Sequence, residues 1–199
     1  MPDYSFELNA EINGFKAICG VDEAGRGPLA GPVCAAAVIL PQGLVIEGLN
    51  DSKKLTEKKR EALFDVIKNQ AIAYSIAFGS VEEIEQINIL KATFLAMNRA
   101  IESLPVKADF ALIDGNLVPD NIKIPCETVV KGDSKSMSIA AASILAKVTR
   151  DRLLMEYDLK YPEYSFAKHK GYGTKAHYEA IREHGICEIH RKSFLKNVL

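Results

Sequence analysis

Three short apolar runs of this chain end on carboxylates: Val21-Asp22-Glu23, Leu112-Ile113-Asp114 and, after a short extension, Val130-Lys131-Gly132-Asp133. In sheets flanked by helices, ligands gather at the carboxyl ends of the strands. Four carboxylates gathered there repel one another unless a cation sits among them. An all-oxygen donor set suits a hard divalent ion, Mg²⁺ or Mn²⁺. Two such ions a few ångströms apart activate a water and stabilise the leaving oxygen in phosphodiester hydrolysis. A plainer reading competes: strand-end Asp residues are turn formers and helix caps, and Asp133 is placed to cap the helix behind it. Spacing alone leaves both readings open. Neighbouring strand residues face opposite sides. Asp22 and Glu23 therefore share a site only if the chain turns at Glu23, which Ala24-Gly25 permits.

The segment after this pair, Gly25-Arg26-Gly27-Pro28-Leu29-Ala30-Gly31, has the outline of a dinucleotide-binding glycine motif. That motif must open a helix, and Pro32 followed by a β-like run rules against one. What remains is a loop with glycines on either side of an arginine. It is either a backbone approach to a sugar or phosphate, or an ordinary turn. Nearer the C-terminus, Phe166–His177 mixes Lys168, Lys170 and Lys175 with Tyr172 between two glycines, ahead of a helix. Such a segment suits phosphate contact and base or sugar stacking, though solvated loops share the composition. Lys53, Lys54, His190, Arg191 and Lys192 add cations. His169, His177, His184 and His190 show no metal-ligand spacing.

The elements that must position these groups follow from pattern. Ala17–Asp22 and Val33–Leu40 read as strands, then a helix from a Thr56 cap to about Asn69, then a strand Ala71–Phe78. Ser80 and Glu83 form a capping box before Ile84, Ile87, Leu90, Phe94, Met97 and Ile101, which predicts one long helix. Ala108–Ile113 and Thr128–Val130 are further strands. A long helix carrying Ala141, Ile144, Leu145 and Val148 ends before Pro162, and Thr174 opens a last helix that Gly185 closes. This is a mixed sheet flanked by helices in one α/β domain. Residues 1–15 read as a polar N-terminal segment, about 160–199 as a basic helical segment, and the last ten or so as a loosely attached tail.

Bulk composition excludes several classes. Lys plus Arg is 25 and Asp plus Glu is 26, for a net charge of −1, so any nucleic-acid site is a local patch or relies on metals. Cys19, Cys34, Cys126 and Cys187 lack metal-site spacing and read as reduced thiols. No apolar stretch approaches membrane length and no signal peptide is evident. A soluble, cytoplasmic monomer is expected.

The same residues carry a resemblance. Asp22-Glu23-Ala-Gly-Arg-Gly-Pro-Leu-Ala-Gly-Pro-Val33 resembles the first signature of the bacterial ribonuclease HII family. Asp51-Ser-Lys-Lys-Leu55, Ile113-Asp-Gly-Asn116, Lys131-Gly-Asp-Ser-Lys135 with Ala140–Lys147, His169–His177 and His190-Arg-Lys-Ser-Phe194 are similar to its later blocks, in order. The likeness spans about residues 17–194. It implies a ribonuclease H-like fold, with Asp22, Glu23, Asp114 and Asp133 as catalytic metal ligands for Mn²⁺ or Mg²⁺. It implies hydrolysis of the RNA strand of RNA–DNA hybrids, and cleavage 5′ of single ribonucleotides in duplex DNA. Gly25, Arg26 and Gly27 would approach the ribose 2′-hydroxyl and Tyr172 the neighbouring deoxyribose. Lys53, Ser134, Lys168, Lys170 and Arg191 complete the expected nucleic-acid contacts, in a role in DNA replication and repair. Ile186-Cys187-Glu188 departs from a proline-containing stretch expected there. Two rival readings are a nucleic-acid-binding module without catalysis, and a related nuclease acting on a DNA junction.

Overall fold

The computed structural model describes residues 1–196. Five strands form one mixed sheet in the order β3-β2-β1-β4-β5. They are β1 (Ile18–Ala24), β2 (Val33–Ile39), β3 (Ala73–Gly79), β4 (Phe110–Asp114) and β5 (Cys126–Val129). The first three are antiparallel neighbours, while β4 and β5 run parallel to β1. That parallel half matters for chemistry, because it brings the carboxyl ends of β1, β4 and β5 to one edge.

Among the described residues there are six α-helices, α1 (Ser5–Ile12), α2 (Glu57–Gln70), α3 (Val81–Glu102), α4 (Met137–Lys160), α5 (Phe166–His169) and α6 (Lys175–His184), of which the first four pack on the sheet or on one another. The strand period of two assigns the faces. On β2, Cys34, Ala36 and Val38 pack with α2 and α4. Val33, Ala35, Ala37 and Ile39 pack with α3 on the other side. The small side chains of β2 let both layers approach. Gly20 does the same on β1: a Cβ there would collide with the backbone of Ser138 and Ile139, so the first turn of α4 lies directly on the strand.

The caps expected from sequence are present. Thr56 Oγ1 accepts from Lys59 N, and Ser80 and Glu83 close their reciprocal box. Ser136, not Asp133, caps α4. The helix over 81–102 is not continuous: Asn88 sits at φ 69° and breaks it. Its Oδ1 accepts from Leu90 N and Lys91 N, so the side chain caps the second half. The kink stems from an asparagine that competes with helical backbone bonding.

Both chain ends are more structured than their sequences suggest. Residues 1–15 contain α1, and its Glu7 is buried against the start of α4. Glu7 Oε1 accepts from Ser136 Oγ at 2.7 Å, Ser138 Oγ at 2.6 Å and Ser138 N at 2.9 Å. Asp3 pairs with residues 135–137 through Asp3 N to Lys135 O and Met137 N to Asp3 O. Far from a loose tail, residues 190–195 are docked, with His190, Arg191 and Leu195 buried. Leu195 joins Leu29, Ala30, Leu154, Tyr164, Phe166, Ile181 and Ile189 in a separate apolar cluster. Positions 197–199 of the expected tail lie outside the described residues.

Glu7→Ala should leave two buried hydroxyls and one helix N–H without their acceptor. The expected loss is about 2–3 kcal/mol of stability, read by urea unfolding. A loss below about 0.5 kcal/mol would mean that α1 is only laid on the surface.

Candidate active site

The three strand-end aspartates come together. Asp22, Asp114 and Asp133 each offer an oxygen, and these atoms lie within 4.8 Å of one another. Asp22 projects from β1 and Asp114 ends β4 beside it. Asp133 arrives on a 3-10 turn (Gly132–Ser134) after Lys131, which takes the left-handed conformation at φ 57°. Asp114 Oδ1 accepts from Gly132 N at 2.6 Å and so ties the end of β4 to that turn. Asp22 Oδ1 accepts from Glu23 N at 2.7 Å.

Glu23 stands beside this trio rather than inside it. The turn expected at Glu23 does not occur, because the β1–β2 ladder continues through Glu23↔Ala35 and Ala24↔Cys34. The chain turns two residues later, at Gly25 with φ 98°. The Glu23 carboxylate instead meets Arg26 at 3.6 Å.

Electrostatics follow from crowding in a buried place. Burial, then repulsion from Glu23 and Asp114, holds the Asp22 carboxyl well above the ordinary range. Burial and Asp114 also raise Asp133, and burial raises Glu23 despite the pull of Arg26. The nearest ammonium is Lys53 Nζ, 3.5 Å from Asp133 Oδ2. One lysine does not balance three close carboxylates. An all-oxygen cluster with excess negative charge at a cleft fits a divalent cation. The cleft is lined by Asp51, Lys53, Lys54, Asp114, Lys131, Asp133 and Ser134. Asp51 is absent from the expected site, yet its Oδ1 accepts from Lys53 N and fixes the turn that carries Lys53. Its signal in the sequence is the position ahead of Ser52-Lys53-Lys54, where it caps a short 3-10 turn.

The remaining expected contacts divide. Gly27 and Tyr172 are neighbours: a Cβ on Gly27 would meet nothing closer than Tyr172 Cε1, at 3.8 Å. Tyr172 is exposed, with Lys147 Nζ 5.8 Å from its ring centre. Gly25 differs, since a Cβ there would collide with the Arg150 side chain. Of the two loop glycines, only Gly27 owes its open space to no protein neighbour. Lys168 is exposed. Lys170 Nζ donates to Ala167 O at 2.6 Å, and Ser134 Oγ donates to Lys131 O at 2.9 Å.

Arg191 is not where a substrate contact would be. Its side chain is fully buried and donates to the carbonyls of Gly25, Arg26, Pro28 and Gly31. The histidines of the same region are structural as well. His177 Nδ1 faces Tyr172 O at 2.9 Å, and His177 Nε2 faces His190 Nε2 at 3.1 Å. Burial pushes both imidazoles down to about 4, so they hold the Tyr172 loop as neutral rings.

Comparison with known proteins agrees with this geometry. Residues 19–197 match the family model described as Ribonuclease HII. The chain belongs to the ribonuclease HII family. It is 57% identical to the ribonuclease HII of Caldicellulosiruptor saccharolyticus, over 98% of this chain and 95% of that protein. It is 59% identical to that of Acetivibrio thermocellus, over 98% of this chain and 75% of the relative. The fold superposes on ribonuclease H2 from Pyrococcus horikoshii OT3 with a TM-score of 0.76 and 26% identity, covering 92% of this chain and 97% of that one. As a member of the ribonuclease HII family the chain is a metal-dependent endoribonuclease that acts on the RNA of RNA–DNA hybrids, and the aspartate trio is compatible with that chemistry.

The raised Asp22 carboxyl has a sign that can be measured. The folded, metal-free protein binds this proton more tightly than the unfolded chain, whose Asp titrates near ~3.9. The stability it contributes is therefore present at low pH and lost as pH rises through the folded value. Asp22→Asn should raise the melting temperature of the metal-free protein at pH 7, with the gain shrinking toward pH 4. A gain that stays constant with pH would show that Asp22 is not held protonated by its surroundings.

Proposed function

We propose that this ribonuclease HII family member cuts duplex DNA on the 5′ side of single embedded ribonucleotides as well as RNA–DNA hybrids, by a two-metal-ion mechanism using Mg²⁺ or Mn²⁺. The observation that carries the reading is the adjacency of Gly27, on the loop that leaves β1 just beyond Asp22, to the exposed Tyr172, between α5 and α6.

In this reading Asp22, Asp114 and Asp133 hold the ions, with Glu23 beside them as a further carboxylate. Bound there, the ions would offset phosphate charge and make water a better nucleophile near neutral pH. The chain's own residues supply alignment. The hydrogen bond from Gly132 N fixes the Asp114 carboxylate, and the Asp51 turn holds Lys53 against Asp133. Lys53 brings positive charge to the rim of the cleft, where a phosphate must pass three carboxylates. The only chemical difference between a ribonucleotide and its DNA neighbours is the 2′-hydroxyl. Gly27 lets backbone come within hydrogen-bond distance of that group, because no Cβ stands in the way. Tyr172 offers a flat face to the adjoining sugar, where a deoxyribose packs better than a ribose with its added hydroxyl. Arg26, Ser134, Lys168 and Lys170 are proposed to contact the flanking backbone.

A duplex with one ribonucleotide, compared with the same duplex in all-DNA form, tests the substrate. Cleavage of the first alone, abolished by chelator and restored by Mn²⁺, is expected. Equal cleavage of both duplexes would point to a DNA nuclease, and full cleavage in chelator would remove the ions from the mechanism.

Two substitutions test the recognition loop. Tyr172→Ala should cut kcat/KM at the single ribonucleotide by roughly one to two orders of magnitude, with Tyr172→Phe losing less. Gly27→Ala meets only Tyr172 Cε1, at an ordinary van der Waals distance of 3.8 Å, and needs no positive φ, so its melting temperature should match the parent while ribonucleotide cleavage falls at least about tenfold. Parent-like cleavage by Gly27→Ala would mean that no substrate atom comes close to this position.

A further inference from the structure

The loop between β1 and β2 is built around two buried cations. Arg150 comes from the middle of α4 and Arg191 from the C-terminal segment, and both side chains are almost wholly buried. Arg150 donates from Nε to Pro32 O, from Nη1 to Lys170 O and from Nη2 to Ala30 O, each at 3.0 Å. Arg191 donates from Nε to Gly31 O at 2.8 Å, from Nη1 to Arg26 O and Pro28 O at 2.9 Å, and from Nη2 to Gly25 O at 2.6 Å. Every one of these acceptors is a backbone carbonyl. Leu29 O is taken by Arg191 N. Between Gly25 and Pro32, only Gly27 keeps its carbonyl outside the arrangement.

Carbonyls drawn inward turn the intervening peptide N–H groups outward. Among the described residues, the N–H groups of Arg26 and Gly27 donate to no backbone acceptor outside regular strands and helices. Gly25 is shaped by Arg150, with which a Cβ there would collide, whereas a Cβ on Gly31 would meet Leu154 first, at 3.1 Å, and then Arg150 Nη2, at 3.4 Å. The same guanidinium reaches Lys170 O, two residues before Tyr172, so it ties the loop to the stacking ring.

We infer that Arg150 and Arg191 are paired positioning residues that set ribose selectivity from behind the loop, without touching the nucleic acid. The inference rests on the proposed reading of the Gly25–Gly27 loop and extends it to the residues that shape it. A guanidinium is required because its planar donors reach three or four carbonyls at once, whereas an ammonium is a point charge with three donors on a flexible stem. Lysine at either position would keep the charge and lose the geometry.

The test measures binding of a one-ribonucleotide duplex and of its all-DNA twin across a salt series, in Ca²⁺ to hold turnover back. For Arg150→Lys and Arg191→Lys the preference for the ribonucleotide duplex should fall by roughly tenfold or more. Affinity for all-DNA duplex and its salt slope should match the parent, as should the rise in melting temperature on adding Mn²⁺. A salt slope reduced by about one would show that the altered arginine contacts phosphate, and would overturn the inference. An intact preference with only a lower melting temperature would overturn it too, reducing the pair to scaffold.

One measurement on the unaltered protein does not depend on the variants folding. The Nε–H signals of Arg150 and Arg191 should exchange slowly and stay in place when the ribonucleotide duplex is added, while the Arg26 and Gly27 amides shift. Nε–H signals that move as far as those amides would place the arginines in the interface and sink the proposal. A parent protein with no preference for the ribonucleotide duplex would count against the functional reading instead, and the Nε–H signals would still decide whether the pair is held apart from nucleic acid.

Discussion

Three carboxylates whose oxygens lie within 4.8 Å of one another, two of them on buried residues, are the constraint that the rest of this fold answers. Such a cluster is unfavourable in a low dielectric and persists only if the backbone holding it has nowhere else to go. The means are local and identifiable. Parallel pairing of β1 with β4 fixes the spacing of Asp22 and Asp114. The bond from Gly132 N to Asp114 locks the turn that delivers Asp133. Gly20 lets α4 sit on β1, and Glu7 clamps the start of α4. Each contact has little to do with catalysis taken alone. Together they hold like charges close enough to share a cation.

A charge pattern of opposite sign lies behind the neighbouring loop. There the buried groups are guanidiniums, and their partners are peptide carbonyls instead of carboxylates. Burial, joined by the nearby Arg150, pulls Arg191 below its ordinary value, but a guanidinium starts so high that it stays protonated near neutral pH. The two devices thus divide the work. The aspartates form a cluster that fits a divalent ion, and the arginines give shape to the backbone loop that is proposed to meet the sugar.

Much of this was legible from residues alone. The strand ends gave the aspartate trio, since an apolar run that stops on Asp marks both an element and its functional edge. Thr56, Ser80, Glu83 and Thr174 announced their helix starts through side-chain chemistry that acts within four residues, and Gly185 announced a helix end through its freedom to take positive φ. What escaped depends on partners remote in sequence. Glu7 looks like a surface residue of a polar segment until Ser136 and Ser138 are brought to it. Glu23 was expected to turn because the pairing that keeps β1 straight is made with β2. Arg191 reads as one more basic residue in a basic stretch. Arg150 left a trace: it falls between Ala146 and Leu154 at helical spacing, so a cation stands on an apolar stripe. Asn88 also left one, as an asparagine in mid-helix with a strong capping side chain.

The reach of Arg191 sets an order on the birth of the molecule. Its carbonyl acceptors lie 160 to 166 positions earlier in the chain. Chains emerge from the ribosome N-terminus first, and closing so long a loop is entropically costly until the intervening elements are in place. All three clustered aspartates have been made once Asp133 is synthesised, whereas the loop acquires its second guanidinium only 58 positions later, with Arg191. A polypeptide cut short before Arg191 would therefore carry every clustered aspartate and an unbraced β1–β2 loop. In the proposed reading, selectivity waits on Arg191 well after the clustered aspartates have been made.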